Sequence, residues 1–368
     1  MTSQSLHRRF LRKPDGRGMW LYGRAPIDAS IKATSPEPIW TAPDPHLRFH
    51  PLRGEWVVYA GHRQNRTFLP PEGYDPLAPA LAEGGSLPTE LPVGNYDIAV
   101  FENRYPSLVA SATAPDSSTF DGPTLPARGA CEVVVYAQSA ALSLGELPLW
   151  NVEMVILAWQ DRTRELGARA DVLQVFPFEN RGVEVGVTLL HPHGQLYAYP
   201  FVPPILARET ALQLAHFQKS RRSLLTGIVA HEAASEVRVV ASDPGAIAFV
   251  PAFARYAYEL WVAPLRAAAS LTDLDAGEVR SLATVLKKSL QKLDALFGRP
   301  MPYIMAVHQA PSDGIAHPEW HMHIEIFPAL RMANRLKYLA GSEIGAGVFT
   351  ADTLPEAKAA ELRAVETP

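Results

Sequence analysis

Phe178-Glu179-Asn180-Arg181-Gly182, then Gly186, then His191-Pro192-His193-Gly194-Gln195: this stretch decides how the 368-residue chain is built. Pro192 keeps His191 out of a helix and favours an extended backbone. In an extended segment residues two apart share a face, so His191 and His193 are expected to project together. Gly194 is expected to let the backbone come close to a bulky ligand. Gln195 offers an amide donor that binds an anionic oxygen without exchanging a proton. A neutral imidazole is a competent nucleophile near pH 7, and its attack on phosphorus gives a phosphoramidate able to pass its group onward. A bare His-x-His also suits a metal pair or a buried turn. Gly194-Gln195 on one side and Asn180 on the other favour the nucleophile.

Outward from this stretch, one pattern occurs twice. Residues 133–136 read as a strand. A helix over 148–166 follows, with Val152, Val155, Ile156 and Trp159 on one face. Strands are expected at 172–178, around His191, and at 195–199. The order recurs with a strand at 258–262 and a helix over 274–297, where Leu282, Val285, Leu286 and Leu293 stand at helical spacing. Strands at 303–308 and 320–327 complete it. Each half ends in closely spaced histidines, His191-Pro192-His193 and His321-Met322-His323. A duplicated unit of mixed strands and helices with antiparallel hairpins implies an α+β fold.

Composition excludes several classes. Hydrophobic residues make up 47% and charged residues 20%, ordinary for a globular enzyme of roughly two domains. A net charge of -4 gives no basic field for nucleic acid or acidic membranes. Cys131, the one cysteine, rules out an internal disulfide. The N-terminus is basic but no apolar core follows, and no run is long enough to span a bilayer, so a cytoplasmic enzyme is expected. With 33 prolines in the chain, many of them early, residues 1–45 and 68–95 are expected to be the least regular.

His-Pro-His-Gly-Gln, preceded by Phe-Glu-Asn-x-Gly and a spaced Gly186, resembles the signature of the galactose-1-phosphate uridylyltransferase family, within the histidine-triad superfamily. The resemblance runs from about His46 onward. It implies duplicated histidine-triad-like units forming a mainly antiparallel sheet flanked by helices: an extension over 1–45, a first unit with the nucleophile motif over 46–205, and a second over 206–368. It also implies that His193 attacks the α-phosphorus of a UDP-sugar and that Gln195 holds the transferring phosphoryl oxygens. The hydrolase branch of the superfamily carries a third histidine where Gln195 stands, and a glutamine cannot activate water. Arg63 and Arg66 match phosphate-binding arginines, and Asn103, Asn180, Gly186 and Thr188 match nucleotide contacts. Lys337 and Glu343 match hexose-binding positions supplied by the neighbouring subunit of a homodimer. Arg104 stands where Asp is familiar, Thr188 where Ser is, Ser342 where Tyr is and Phe349 where Gln is. The implied reaction exchanges uridylyl between UDP-glucose and galactose 1-phosphate. The alternatives are an adenylyl-type sugar-nucleotide phosphorylase with phosphate as acceptor, a nucleotide hydrolase, and a non-catalytic nucleotide-binding regulator.

For metals, the better-known relatives have a zinc site of Cys-x-x-Cys and two histidines. Here Asp75-Pro76-Leu77-Ala78-Pro79-Ala80 holds no cysteine and Ala140 takes the distal histidine's place, which leaves His191 alone. That site is expected to be absent and its loop to be held by packing. A second, structural site for Zn or Fe is implied from Glu209, His308, His321 and His323. Counted back from Pro328, His323 and Glu325 occupy the family's two histidine positions, so His321 and Glu325 compete for the last ligand place. No organic cofactor is implied. His317 is taken as a surface residue, and Lys13-Pro14-Asp15-Gly16 has no assigned role.

Overall fold

A computed structural model describes residues 6–65, 70, 73–79, 88–115 and 120–367; Arg66 lies outside the described residues. The strands among the described residues are β1 (His7–Arg12), β2 (Gly18–Gly23), β3 (His46–His50), β4 (Glu55–Tyr59), β5 (Ile98–Glu102), β6 (Thr124–Pro126), β7 (Ala130–Val135), β8 (Gln174–Arg181), β9 (His193–Tyr199), β10 (Val239–Asp243), β11 (Ala246–Phe249), β12 (Leu260–Pro264), β13 (Tyr303–His308), β14 (His323–Pro328), and the short paired β15 (Leu330–Met332) and β16 (Arg335–Leu336). Eleven of them form one sheet in the order β1-β2-β5-β7-β9-β8-β13-β14-β12-β11-β10, while β4-β3-β6 make a small second sheet. Pairing in the large sheet is antiparallel, including the central β8–β13 pair that joins Arg181 to Tyr303. The expected α+β sheet flanked by helices is what the chain builds. From the centre outward the two sides mirror each other: β8, β9, β7, β5 against β13, β14, β12, β11.

Helices α1 (Leu149–Gly167) and α4 (Ala276–Leu296) occupy the same place in each half and pack on each other. Helix α4 starts where Asp275 accepts from the Glu278 amide and Glu278 from the Asp275 amide, a capping box that satisfies otherwise orphaned donors. It buries Leu282, Val285, Leu286, Leu290 and Leu293. Helix α1 buries Val152, Val155, Ile156 and Trp159. Each fully buried side chain of this size contributes about 1.5–3 kcal/mol. Helix α2 (Pro204–Ser220) follows β9 and packs on α3 (Leu224–Ser235), and α5 (Pro355–Ala364) closes against α4 and β10. No helix among the described residues is long and apolar enough to cross a membrane.

The extension meets expectation over residues 24–45, which carry no helix or strand, and departs from it before them. Residues 7–23 are a regular hairpin whose second strand pairs with β5, so they widen the main sheet by two strands. Its turn is Lys13-Pro14-Asp15-Gly16-Arg17, with Gly16 at φ 91° closing it. Its charged residues Lys13, Asp15 and Arg17 are buried, while Pro14 and Gly16 between them are exposed. Lys13 Nζ meets the Glu90 carboxylate at 2.5 Å, and Arg17 Nη2 meets Glu90 at 2.8 Å and Asp15 at 2.6 Å. Burial pushes the Lys13 pKa down to about 8 against the pull of Glu90. Sequence pattern missed this hairpin because its turn residues are charged and find their partner 77 positions away.

Candidate active site

A cavity of about 480 Å³ opens over the face of β9, β8, β7 and β5. Along β9 burial alternates, with Gly194, Leu196 and Ala198 turned into the core and His193, Gln195 and Tyr197 lining the cavity. Phe178 and Asn180 of β8 face the same way, joined by Phe101, Asn103 and Val133. The turn after β8 supplies Gly186, Val187, Thr188 and Leu189. Its chain reversal uses two left-handed glycines, Gly182 at φ 99° and Gly186 at φ 82°. Arg63 enters from the short helical turn after β4, and its Nη1 donates to the Tyr105 carbonyl. The structure therefore gathers His193, Gln195, Arg63, Asn103, Asn180, Gly186 and Thr188 at one cavity.

His193 Nδ1 lies 2.7 Å from the His191 carbonyl oxygen. A carbonyl only accepts, so Nδ1 carries the hydrogen and Nε2 keeps its lone pair. Burial first, and the neighbouring His191 charge after it, hold the His193 pKa below the usual imidazole value. Gln195 accepts from Asn103 Nδ2 at 3.4 Å through Oε1, which leaves its Nε2 as a donor. Asn103 is itself fixed by the Tyr105 amide at 2.8 Å.

Three expectations change. His191 does not share the cavity with His193. Strand β9 begins at His193, so strand alternation does not reach His191, and its ring turns to Asp75 Oδ2 at 2.7 Å and the Ala137 carbonyl at 2.8 Å. The loop is held by packing, as expected, through buried Leu77, and it is tied in addition by this partly buried hydrogen bond. Gly194 is small for a different reason: a Cβ there would stand 2.1 Å from the Tyr136 hydroxyl and 2.9 Å from the Phe178 carbonyl, inside the sheet rather than toward a ligand. His317 is not a surface residue, since its ring lies between Glu319 at 2.8 Å and Asp313 at 3.0 Å with its side chain 7% exposed.

The second histidine pair repeats the arrangement. His323 opens β14, and His321 lies before it with Nε2 on the Pro264 carbonyl at 2.8 Å and Nδ1 on Thr226 at 2.9 Å. That ring is spent on its own contacts. Among the described residues, the group able to hold a metal ion is Glu209 of α2, His308 of β13, and His323 and Glu325 of β14, with ligand atoms all within 4.8 Å of one another. Glu325, not His321, completes it. Burial works to raise the Glu325 pKa, but His308 and His323 outweigh it and hold the carboxyl at about 2. Two neutral imidazoles and two carboxylates balance a divalent ion and suit its preference for nitrogen and oxygen donors.

Lys337 and Glu343 stand apart from the cavity and face each other at 3.6 Å. Sequence reasoning did not find the cavity's aromatic and apolar walls, Tyr74, Leu77, Phe101, Phe178 and Tyr197, nor Glu90 and Pro36. Taken singly they are ordinary core or loop residues, and only the sheet order collects them. Arg104 is bonded to Glu37 of the extension, and its carbonyl accepts from Trp40 Nε1 at 2.9 Å.

Comparison with known proteins agrees with this geometry. The family models for the N-terminal and C-terminal domains of galactose-1-phosphate uridyl transferase match residues 37–203 and 209–367. A galactose-1-phosphate uridylyltransferase of Thermotoga maritima is 36% identical over 324 residues, which cover 87% of this chain and 98% of that protein. The Rattus norvegicus enzyme of the same name is 32% identical, covering 86% and 87%. A solved uridylyltransferase structure superposes with TM-score 0.76 at 33% identity, over 87% of this chain and 97% of that one. An ADP-glucose phosphorylase of Arabidopsis thaliana shares the fold at TM-score 0.65 and 23% identity, over 88% and 99%. With both family models and relatives above 30% identity spanning most of its length, the chain belongs to the galactose-1-phosphate uridylyltransferase family.

Proposed function

We propose that the chain exchanges a uridylyl group between UDP-glucose and galactose 1-phosphate through a covalent intermediate on His193. The observation that carries this reading is the His193 ring at the cavity wall, with Nδ1 committed to a carbonyl and Nε2 left as the nucleophile. The Nε2 lone pair attacks the α-phosphorus of UDP-glucose, the P–N bond forms, and the P–O bond to glucose 1-phosphate breaks. A phosphate oxygen of galactose 1-phosphate then attacks, the P–N bond breaks, and UDP-galactose leaves. Arg63 and the Gln195 amide stabilise charge on the transferring oxygens, and Arg66 is assigned with them. The base and ribose occupy the space between Phe101, Asn103, Asn180, Gly186 and Thr188. Catalysis rests on positioning and charge stabilisation, as phosphoryl transfer requires. Gln195 neither activates water nor protonates a leaving group, which favours transfer over hydrolysis.

In this reading the halves are residues 46–205 and 206–368, with 1–45 added to the first, and the enzyme is a cytoplasmic homodimer. Lys337 and Glu343 serve the partner's cavity. They lie beside exposed apolar residues, Tyr338 (77% exposed), Ile344 (63%) and Val348 (60%), which a partner would cover. Glu209, His308, His323 and Glu325 hold a structural zinc or iron ion.

Two measurements test the reaction. Intact-mass spectrometry after UDP-glucose is expected to show a gain of one uridylyl group, lost on adding galactose 1-phosphate. Labelling by ADP-glucose instead would move the activity to an adenylyl-type phosphorylase, the reading that Arg104 in place of Asp favours. The rate of adduct formation is expected to stay level down to about pH 6.5 and to fall only below the free imidazole value. The sign follows from His193: protonation removes the attacking lone pair, and its depressed pKa postpones this to lower pH. An acid limb centred above about 6.5 would contradict the assignment.

A further inference from the structure

The His191 carbonyl that sets the His193 tautomer is weakly held by the sheet. Strand β9 pairs with β7 from Val135↔His193 onward and the Tyr136 amide still donates to the Pro192 carbonyl at 3.2 Å, but residue 191 lies outside the ladder and Pro192 has no N–H to donate. Its carbonyl is instead placed by its side chain. The buried His191 ring is pinned at both nitrogens, by Asp75 Oδ2 at 2.7 Å and by the Ala137 carbonyl at 2.8 Å. Both partners are acceptors, so the contacts are fully met only by a ring with hydrogen on both nitrogens, matched by the Asp75 carboxylate. Asp75 is fixed in turn by the Leu77 amide, which donates to its Oδ1 at 2.9 Å. Burial acts to raise its pKa, yet the bond from His191 and the Leu77 and Ala78 amides hold it below the ordinary carboxyl value.

We propose that Asp75 is a positioning residue for group transfer, acting through the His191 ring to fix the carbonyl that holds His193 in its Nδ1–H tautomer. This rests on the reading of His193 as nucleophile. Asp75 stands in the stretch where the family resemblance places Cys-x-x-Cys, and here its carboxylate holds the His191 ring. It also joins the cavity wall to the reacting ring, because Tyr74, Pro76 and Leu77, which line the cavity, flank Asp75. Partners that orient a functional ring from behind are typically worth about 10–100-fold when removed.

The test uses the full chain and UDP-glucose. Single-turnover adduct formation, followed by rapid quench and intact mass, is expected to slow about 10–100-fold at saturating UDP-glucose in Asp75→Ala. The near-isosteric Asp75→Asn, which keeps an acceptor but not the charge, is expected to slow it about tenfold. The double variant Asp75→Ala/His191→Gln should be no slower than His191→Gln alone, because the two residues act in series. Long-range ¹H–¹⁵N spectra of the His193 ring should show one Nδ1–H tautomer in the native protein and a mixture in the Asp75 variants. A purely structural Asp75 would lower the melting temperature and leave both rate constant and tautomer unchanged in the folded fraction, which would overturn the proposal. Losses that multiply in the double variant, or a pure Nδ1–H tautomer in a slowed variant, would overturn it equally. Labelling of His193→Ala by UDP-glucose would remove the nucleophile reading and this proposal together; the other adverse outcomes remove this proposal alone.

Discussion

His193→Ala is expected to give no mass gain with UDP-glucose and to lower turnover roughly 10⁴-fold or more, the scale on which a covalent nucleophile is lost. The variant should still fold. His193 is half-buried at a cavity wall, and its ring donates to the His191 carbonyl. Leaving that carbonyl without its donor costs about 1–3 kcal/mol at most. Binding of UDP-glucose should change far less than turnover, because Arg63, Asn103, Asn180 and Gln195 all remain. A large loss of rate with little loss of affinity separates a nucleophile from a binding residue. Turnover retained by the purified variant would remove the covalent mechanism.

Glu325→Ala is expected to lose bound metal and about 3–5 kcal/mol of stability, while His321→Ala keeps its metal. The two residues compete on sequence grounds, but their surroundings differ. Glu325 lies 3.4 Å from His323 Nε2, 3.6 Å from His308 Nε2 and 3.0 Å from Arg255 Nη2. Removing it takes away a charged ligand and strands the Arg255 guanidinium beside two buried rings, and breaking such a group typically costs about 3–5 kcal/mol. His321 is committed to Thr226 and the Pro264 carbonyl, so its loss costs packing and two hydrogen bonds without opening the donor set. Elemental analysis for zinc and iron on both variants, with thermal melts, checks this. Normal metal content in Glu325→Ala alongside depletion in His321→Ala would return His321 to the site.

The two long helices of the repeated unit were readable from the sequence because their causes are local, whereas α2, α3 and α5 were not foreseen. The apolar spacing of Leu282, Val285, Leu286 and Leu293 gives a helix over 274–297, and the chain forms Ala276–Leu296. Asp275 and Glu278 supply the cap within four residues of each other. The first histidine motif was equally legible, and His193, Gln195, Asn180, Gly186 and Thr188 do meet at one cavity. The strand rule failed in the same way twice. In both His-x-His pairs the strand starts at the second histidine, so alternation could not predict where His191 and His321 point.

Periodicity, capping and a dense motif act over a few residues, and so the amino-acid sequence by itself determined the repeated order of strands and helices, the α+β class and the cluster around His193. What the tertiary structure decided depends on groups far apart in the chain. Asp75 reaches His191 across 116 positions, and Lys13 reaches Glu90 across 77. Glu209 and His308 meet across 99. Gly194 owes its smallness to Tyr136 on a neighbouring segment. In each of these cases a buried polar or crowded group takes whichever partner the sheet order brings within reach, because leaving it unpaired in the interior costs more than any local preference supplies.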